Sequence, residues 1–120
     1  MCNADMIAKG WGLVAKGDWD TLMQDYREDA ILVIPGQNDV IDGASAIHAA
    51  LTNLGSVVPP GFTVTGVRQI GDGDEVVSVV DWKCDKIAGG TQSTVLFRMA
   101  DGKIFEERWF MDTEQWKAAF

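Results

Sequence analysis

The sequence predicts an α+β fold in which three helices of the N-terminal half pack on a cone-shaped, curved antiparallel β-sheet, a half-barrel whose wide end could admit a ligand. Three observations carry this expectation. Apolar residues recur at helical spacing up to residue 55, the pattern turns to alternation after Pro59-Pro60-Gly61, and tight-turn dipeptides then recur at hairpin intervals. An apolar fraction of 47% over 120 residues, with five Trp and five Phe, is ample for one packed core, so residues 1–120 read as a single domain.

Ile7, Trp11 and Val14 stand at i, i+4, i+7, with Gly10 and Leu13 alongside, and make one apolar helical face. Gly17 ends that helix and Asp18 can cap the next, in which Trp19, Leu22, Met23 and Tyr26 fall at i, i+3, i+4, i+7. Ala30 to Pro35 reads as a short β-branched strand stopped by Pro-Gly. Asp42-Gly43 then introduces a third helix with Ile47, Ala50, Leu51 and Leu54 on one face, closed by Gly55. From Phe62 the chain reads as a four-strand antiparallel meander: Phe62 to Ile70, Glu75 to Asp85, Gln92 to Ala100 and a last strand after Asp101-Gly102, with turns at residues 71–74 and near Gly89-Gly90.

A net charge of −8 and no run of Lys or Arg oppose nucleic acid or an anionic membrane as partner, and favour a neutral or cationic small ligand. Cys2 and Cys84 form neither a disulfide framework nor a metal-type pair, and the single histidine, His48, cannot make a His-rich metal site. No metal and no cofactor are expected. The chain opens without a basic stretch leading into an apolar run, and no segment approaches the ~18 apolar residues of a membrane span, so the expected location is cytoplasmic.

In the last strand, "DGKIFEERWFMD", period two places Phe105, Glu107, Trp109 and Met111 on one face and Ile104, Glu106, Arg108 and Phe110 on the other. Both faces carry aromatic residues. One is then covered by the helices around a cavity and the other by a partner subunit, which predicts a homodimer through the outer sheet face. Asp112 has two readings: a base made more proton-hungry by Trp109, Phe110 and Met111, or the cap of a helical segment starting at Thr113. Trp11, Trp82 and Trp109 can pack in the core or stack on a planar ligand.

The order helix, helix, strand, helix, meander, with "GDWDTLMQDYREDAILVIPG", "DGASAIHAAL" and "FRMADGKIFEERWFMD", resembles the nuclear transport factor 2-like superfamily, and within it SnoaL-like and ketosteroid isomerase-like domains. That superfamily holds steroid isomerases, polyketide cyclases, epoxide hydrolases and dehydratases, and also domains that only bind or dimerise, so fold does not settle activity. Laid on the isomerases, the general-base position falls on Ile34, the oxyanion-hole tyrosine on Gly10 and the protonated-aspartate position on Val95. Tyr26 matches a tyrosine of the supporting network, whose partner position is Leu51. The isomerase route is therefore not expected. In limonene epoxide hydrolase-like members the base ends the last strand, where this chain has Asp112, but the Tyr and Asn that position water are missing from Ile31-Leu32-Val33-Ile34.

The resemblance implies a pocket lined by Trp11, Tyr26, Ile34, Leu51, Trp82, Val95, Phe97, Glu107, Trp109 and Met111, greasier than an isomerase's because Ile34, Val95 and Phe97 replace polar residues. Two functions are expected. One is an enzyme of cyclase, isomerase, hydrolase or lyase type acting on a small apolar cyclic molecule with Asp112 transferring a proton. The other is a non-catalytic homodimeric small-molecule-binding protein.

Overall fold

The computed structural model describes residues 2–34 and 39–119. Along them run α1 (Asn3–Lys16), α2 (Trp19–Met23), β1 (Tyr26–Ile34), β2 (Asp39–Asp42), α3 (Ala44–Val57), β3 (Thr63–Ile70), β4 (Glu75–Cys84), β5 (Ile87–Ala100), β6 (Lys103–Phe110) and α4 (Thr113–Ala119). The strands form one curved, unclosed six-stranded sheet in the order β2-β1-β6-β5-β4-β3. Residues of α1, α2 and α3 share a single core with the inner face of that sheet. Among the described residues no helix is long and apolar enough to cross a membrane.

In α1 the expected face is the buried one: Ile7, Gly10 and Trp11 are covered, and Leu13 and Val14 pack against the core. Gly17, at φ 70, ends the helix by donating its N–H to Val14 O, while Asp18 N donates to Leu13 O, both at 3.0 Å. The Asp18 carboxylate then accepts the Thr21 N–H at 3.3 Å and starts α2.

Tyr26 does not close the second helix, as its spacing suggested; it opens β1. The helical bonds run only to Asp25 N, and Ile104 N then donates to Asp25 O at 2.8 Å, so the last strand takes the carbonyl that another helical turn would use. Other boundaries move for similar reasons. α3 continues past Gly55, where the missing side chain lets the helix lie against the Trp19 indole. The turn after β4 is at Asp85-Lys86, because Cys84 pairs with Ile87, and Gly89-Gly90 lie inside β5 at a bulge opposite Trp82 and Cys84. The Pro35-Gly36 stop expected for the first strand lies outside the described residues.

The meander itself is antiparallel throughout. β4 alternates strictly, burying Val76, Ser78, Val80, Trp82 and Cys84. Asp101 and Gly102 both adopt left-handed backbone, φ 53 and 76, which gives the β5–β6 hairpin the turn that its strand twist requires. Two additions were not anticipated: the short edge strand β2, and a parallel pairing of β1 with β6, which makes the sheet mixed.

β3 carries a bulge between Gly66 and Arg68 that leaves Val67 without a partner on β4 and exposed. Trp11 of α1 lies directly on Gly66, and a Cβ there would overlap the indole. Gly66→Ala is therefore expected to lower stability by about 1–3 kcal/mol, the usual cost of overpacking. Urea unfolding checks this, and an unchanged midpoint would mean that Trp11 does not depend on that seat.

Candidate functional site

A cavity of about 640 Å³ lies between α1, α2 and α3 and the inner face of the sheet. Its wall is mostly apolar. Trp11 comes from α1, Trp19 and Leu22 from α2, Tyr26, Leu32 and Ile34 from β1, Leu51 and Leu54 from α3, and Phe97, Ile104 and Trp109 from the last two strands. Met111, Phe62, Trp82 and Trp116 continue the wall. There Trp82 stands edge-on to Trp116 with ring centres 5.3 Å apart, and Phe62 lies 6.0 Å from Trp82. This second aromatic cluster, with Cys84 and Ala119, seats α4 on the sheet.

One acid belongs to the buried wall. Glu107 is 5% exposed, and its two carboxylate oxygens take different donors: the Tyr26 hydroxyl donates to Oε1 and the Trp109 indole N–H donates to Oε2 at 2.6 Å. Burial pushes the Glu107 carboxyl above the ordinary carboxylate range, while the hydrogen bonds from Tyr26 and Trp109 pull the other way. Burial, and then the charge of Glu107, push the Tyr26 hydroxyl well above the ordinary tyrosine range.

The phase of β6 explains why Glu107 and Ile104 both reach the cavity although strict alternation puts them on opposite faces. Arg98 pairs with Glu106 and Met99 with Ile104, so Phe105 is an extra residue in a bulge. Phe105 lies instead beneath the Arg27 guanidinium, 5.3 Å from its ring centre. Trp11 is held by its own bond, Nε1 to Ser78 Oγ at 3.0 Å, with Ser78 in turn donating to Gln69. Its ring stands edge-on to Trp109 and Phe97, at 5.8 and 6.1 Å.

Of the expected lining residues, Trp11, Tyr26, Ile34, Leu51, Trp82, Phe97, Glu107, Trp109 and Met111 border the cavity. Val95 does not. It is fully buried in the core, and its larger neighbours Phe97 and Trp109, the latter directly opposite it on β6, border the space in its stead. Asp112 follows β6 on the surface, where its Oδ1 accepts the Gln115 N–H at 3.1 Å and caps α4; Met111 borders the cavity and Asp112 does not. The partner of Tyr26 is Glu107, not position 51. Trp19, Leu22 and Ile104 escaped the sequence reading as lining residues: the first two carried only a helical-face signal, and the third sits one residue before the bulge. His48 lies at the surface with Nε2 2.8 Å from Asp20, and no group of acids, cysteines and histidine among the described residues is arranged for a metal ion.

The model of the SnoaL-like domain matches residues 9–107. The chain belongs to the SnoaL-like domain family. No curated protein matches it. Solved structures share the fold of this SnoaL-like protein at low identity. Bal32a, from a soil-derived mobile gene cassette, is 20% identical with a TM-score of 0.84, over 98% of this chain and 95% of its own. TerC co-crystallised with polyporic acid is 19% identical with a TM-score of 0.76, over 98% and 96%. A hypothetical protein of Catenulispora acidiphila with a ketosteroid isomerase-like fold, in complex with trimethylamine, is 13% identical with a TM-score of 0.77, over 95% and 90%.

The buried acid makes stability depend on pH with a definite sign. Because its folded pKa lies above the ordinary value of 4.5, the unfolded chain gives up the proton first as pH rises, and stability falls from about that pH up to the folded pKa. Glu107→Gln lacks this loss. The stability of the variant relative to wild type should thus increase between pH 4 and neutral in urea titrations, and a constant difference would contradict a raised pKa.

Proposed function

We propose that the SnoaL-like domain binds a small, largely apolar ring compound in the cavity and that Glu107 moves a proton on it. The observation that carries this reading is a buried carboxyl, raised above its ordinary range, in the wall of an otherwise greasy cavity. A carboxylate of raised pKa is a stronger base, and proton transfer by a positioned side chain contributes about 10²–10⁴-fold to a rate. The hydrogen bonds from Tyr26 and Trp109 fix the rotamer, so these two are positioning residues, and Trp11 and Phe97 hold the indole of Trp109 in turn. The relatives that hold polyporic acid and trimethylamine support a small-molecule occupant.

Of the two sequence readings of Asp112, base or helix cap, the geometry supports the cap, and it favours Glu107 for the proton transfer. Screening ring compounds for binding by NMR and for turnover by mass spectrometry separates the two. Glu107→Gln should lose product formation by at least ~100-fold at saturating ligand, whereas Asp112→Asn, which retains a capping side chain, should stay active. The reverse pattern returns the role to Asp112. Binding without product in the wild type would make this a binding protein.

A homodimer completes the proposal. On the outer face of the sheet one row of paired residues crosses all six strands in the order Val40, Val33, Arg108, Leu96, Val77, Ile70, apolar except for Arg108. Val40, Ile70 and nearby Phe110 are 59%, 47% and 47% exposed. A second copy placing the same face against this row buries it symmetrically. Light scattering should find a dimer for the wild type and a monomer for Leu96→Asp; a monomeric wild type at micromolar concentration would remove this part.

A further inference from the structure

Glu106 and Glu107 are neighbours on β6, both less than 10% exposed, and the chain treats their charges in opposite ways. On the outer face Glu106 accepts from Arg98 at 3.3 Å and from Arg108 at 3.2 Å, a carboxylate between two guanidinium groups. On the inner face Glu107 has only the neutral donors Tyr26 and Trp109, and among the described residues no Lys, Arg or His pairs with it. An indole N–H can only donate, and a donor on each oxygen suits the ionised carboxylate. A buried carboxylate without a counter-ion is costly, and a cation seated against it in good geometry offsets part of that cost.

The walls next to Glu107 are also of the kind that attract a cation. Trp11 stands at 81° to Trp109 and at 73° to Phe97, so the ring planes meet as the sides of a corner and turn their faces in different directions. Tyr26 and Trp19 add further aromatic surface to the same cavity. A cation within about 6 Å of such faces is drawn by the ring quadrupole, more strongly when water is excluded. The chain's net charge of −8 draws cations toward the molecule as a whole.

We infer that the ligand of this cavity is an amine, an apolar body carrying an ammonium group that seats on the Glu107 carboxylate between the faces of Trp11 and Trp109. The inference rests on the reading of the cavity as a binding site and names the class of molecule for it. The titratable side chains along the cavity are Lys16, at the exposed end of α1, Asp25, Tyr26 and Glu107. None but Glu107 is a buried acid, and Lys16 shares no hydrogen bond with it.

Phenyltrimethylammonium and tert-butylbenzene have the same shape and differ by one charge, and neither can exchange a proton. Titrated into the full chain and followed by the Trp109 indole N–H resonance, the ammonium should bind at least tenfold tighter than the hydrocarbon. That advantage should fall in Glu107→Gln to what the ring faces alone supply, and it should shrink as pH is lowered through the titration of Glu107. Equal or tighter binding of tert-butylbenzene by the wild type overturns the inference and leaves the cavity a binding site. Binding of neither compound overturns the cavity reading and the inference with it. The wild-type comparison needs no variant, so a Glu107→Gln chain that fails to fold does not shelter the idea.

Discussion

Between Ile104 and Glu106 the last strand carries one residue more than β5 can pair, and the surplus residue, Phe105, is set aside beneath Arg27. Because side chains in a strand alternate, a single extra residue reverses the phase of everything that follows it. Ile104 before the bulge and Glu107 and Trp109 after it thereby come to the same face, that of the cavity. Glu107 reaches Tyr26 only in this phase, and Trp109 reaches Trp11 by the same token. Remove the bulge, and either the hydrophobic start of the strand or its acid would face the wrong side of the sheet.

The sheet keeps its two acids in different chemical states of readiness. Glu106 belongs to a ladder on the outer face, Glu75 to Arg98 to Glu106 to Arg108, in which positive and negative groups alternate and the fold has nothing left over. Glu107 is held in place without being neutralised. A fold gains no stability from that arrangement, and buried carboxyl groups with raised pKa concentrate at sites where a protein uses them. The apolar cavity wall strengthens the effect, since a charge among aromatic rings meets far less screening than one in water.

The sequence was most legible where the signal is local. The faces of α1 and α3, the caps at Gly17 and Asp18, the alternation of β4 and the Asp101-Gly102 turn follow from spacing and from the conformational preferences of a few residues. Tyr26 stands at i+7 after Trp19, a spacing that fits a helix as well as the first residue of a strand, and the bond from Ile104 to Asp25 decides between them. Register is a property of paired strands, so the Phe105 bulge, the parallel contact of β1 with β6 and the inward turn of Ile104 could not be read from one strand at a time. Asp112 and Glu107 show the same limit at the site. Both are acids near aromatic residues in sequence, and three-dimensional pairing puts one at a helix start and the other in the cavity wall.

The parallel pairing of β1 with β6 also governs when the site can exist. Tyr26 and Glu107 are 81 residues apart along the chain, and β1 has no neighbour but the short β2 until β6 arrives. Pairing between segments so far apart in sequence is a non-local contact, the kind that slows folding in general. Without β6, the long edge of β1 opposite β2 would have no strand to pair with. The strand that supplies the acid is also the strand that pairs with β1, so one strand completes both the cavity wall and the sheet.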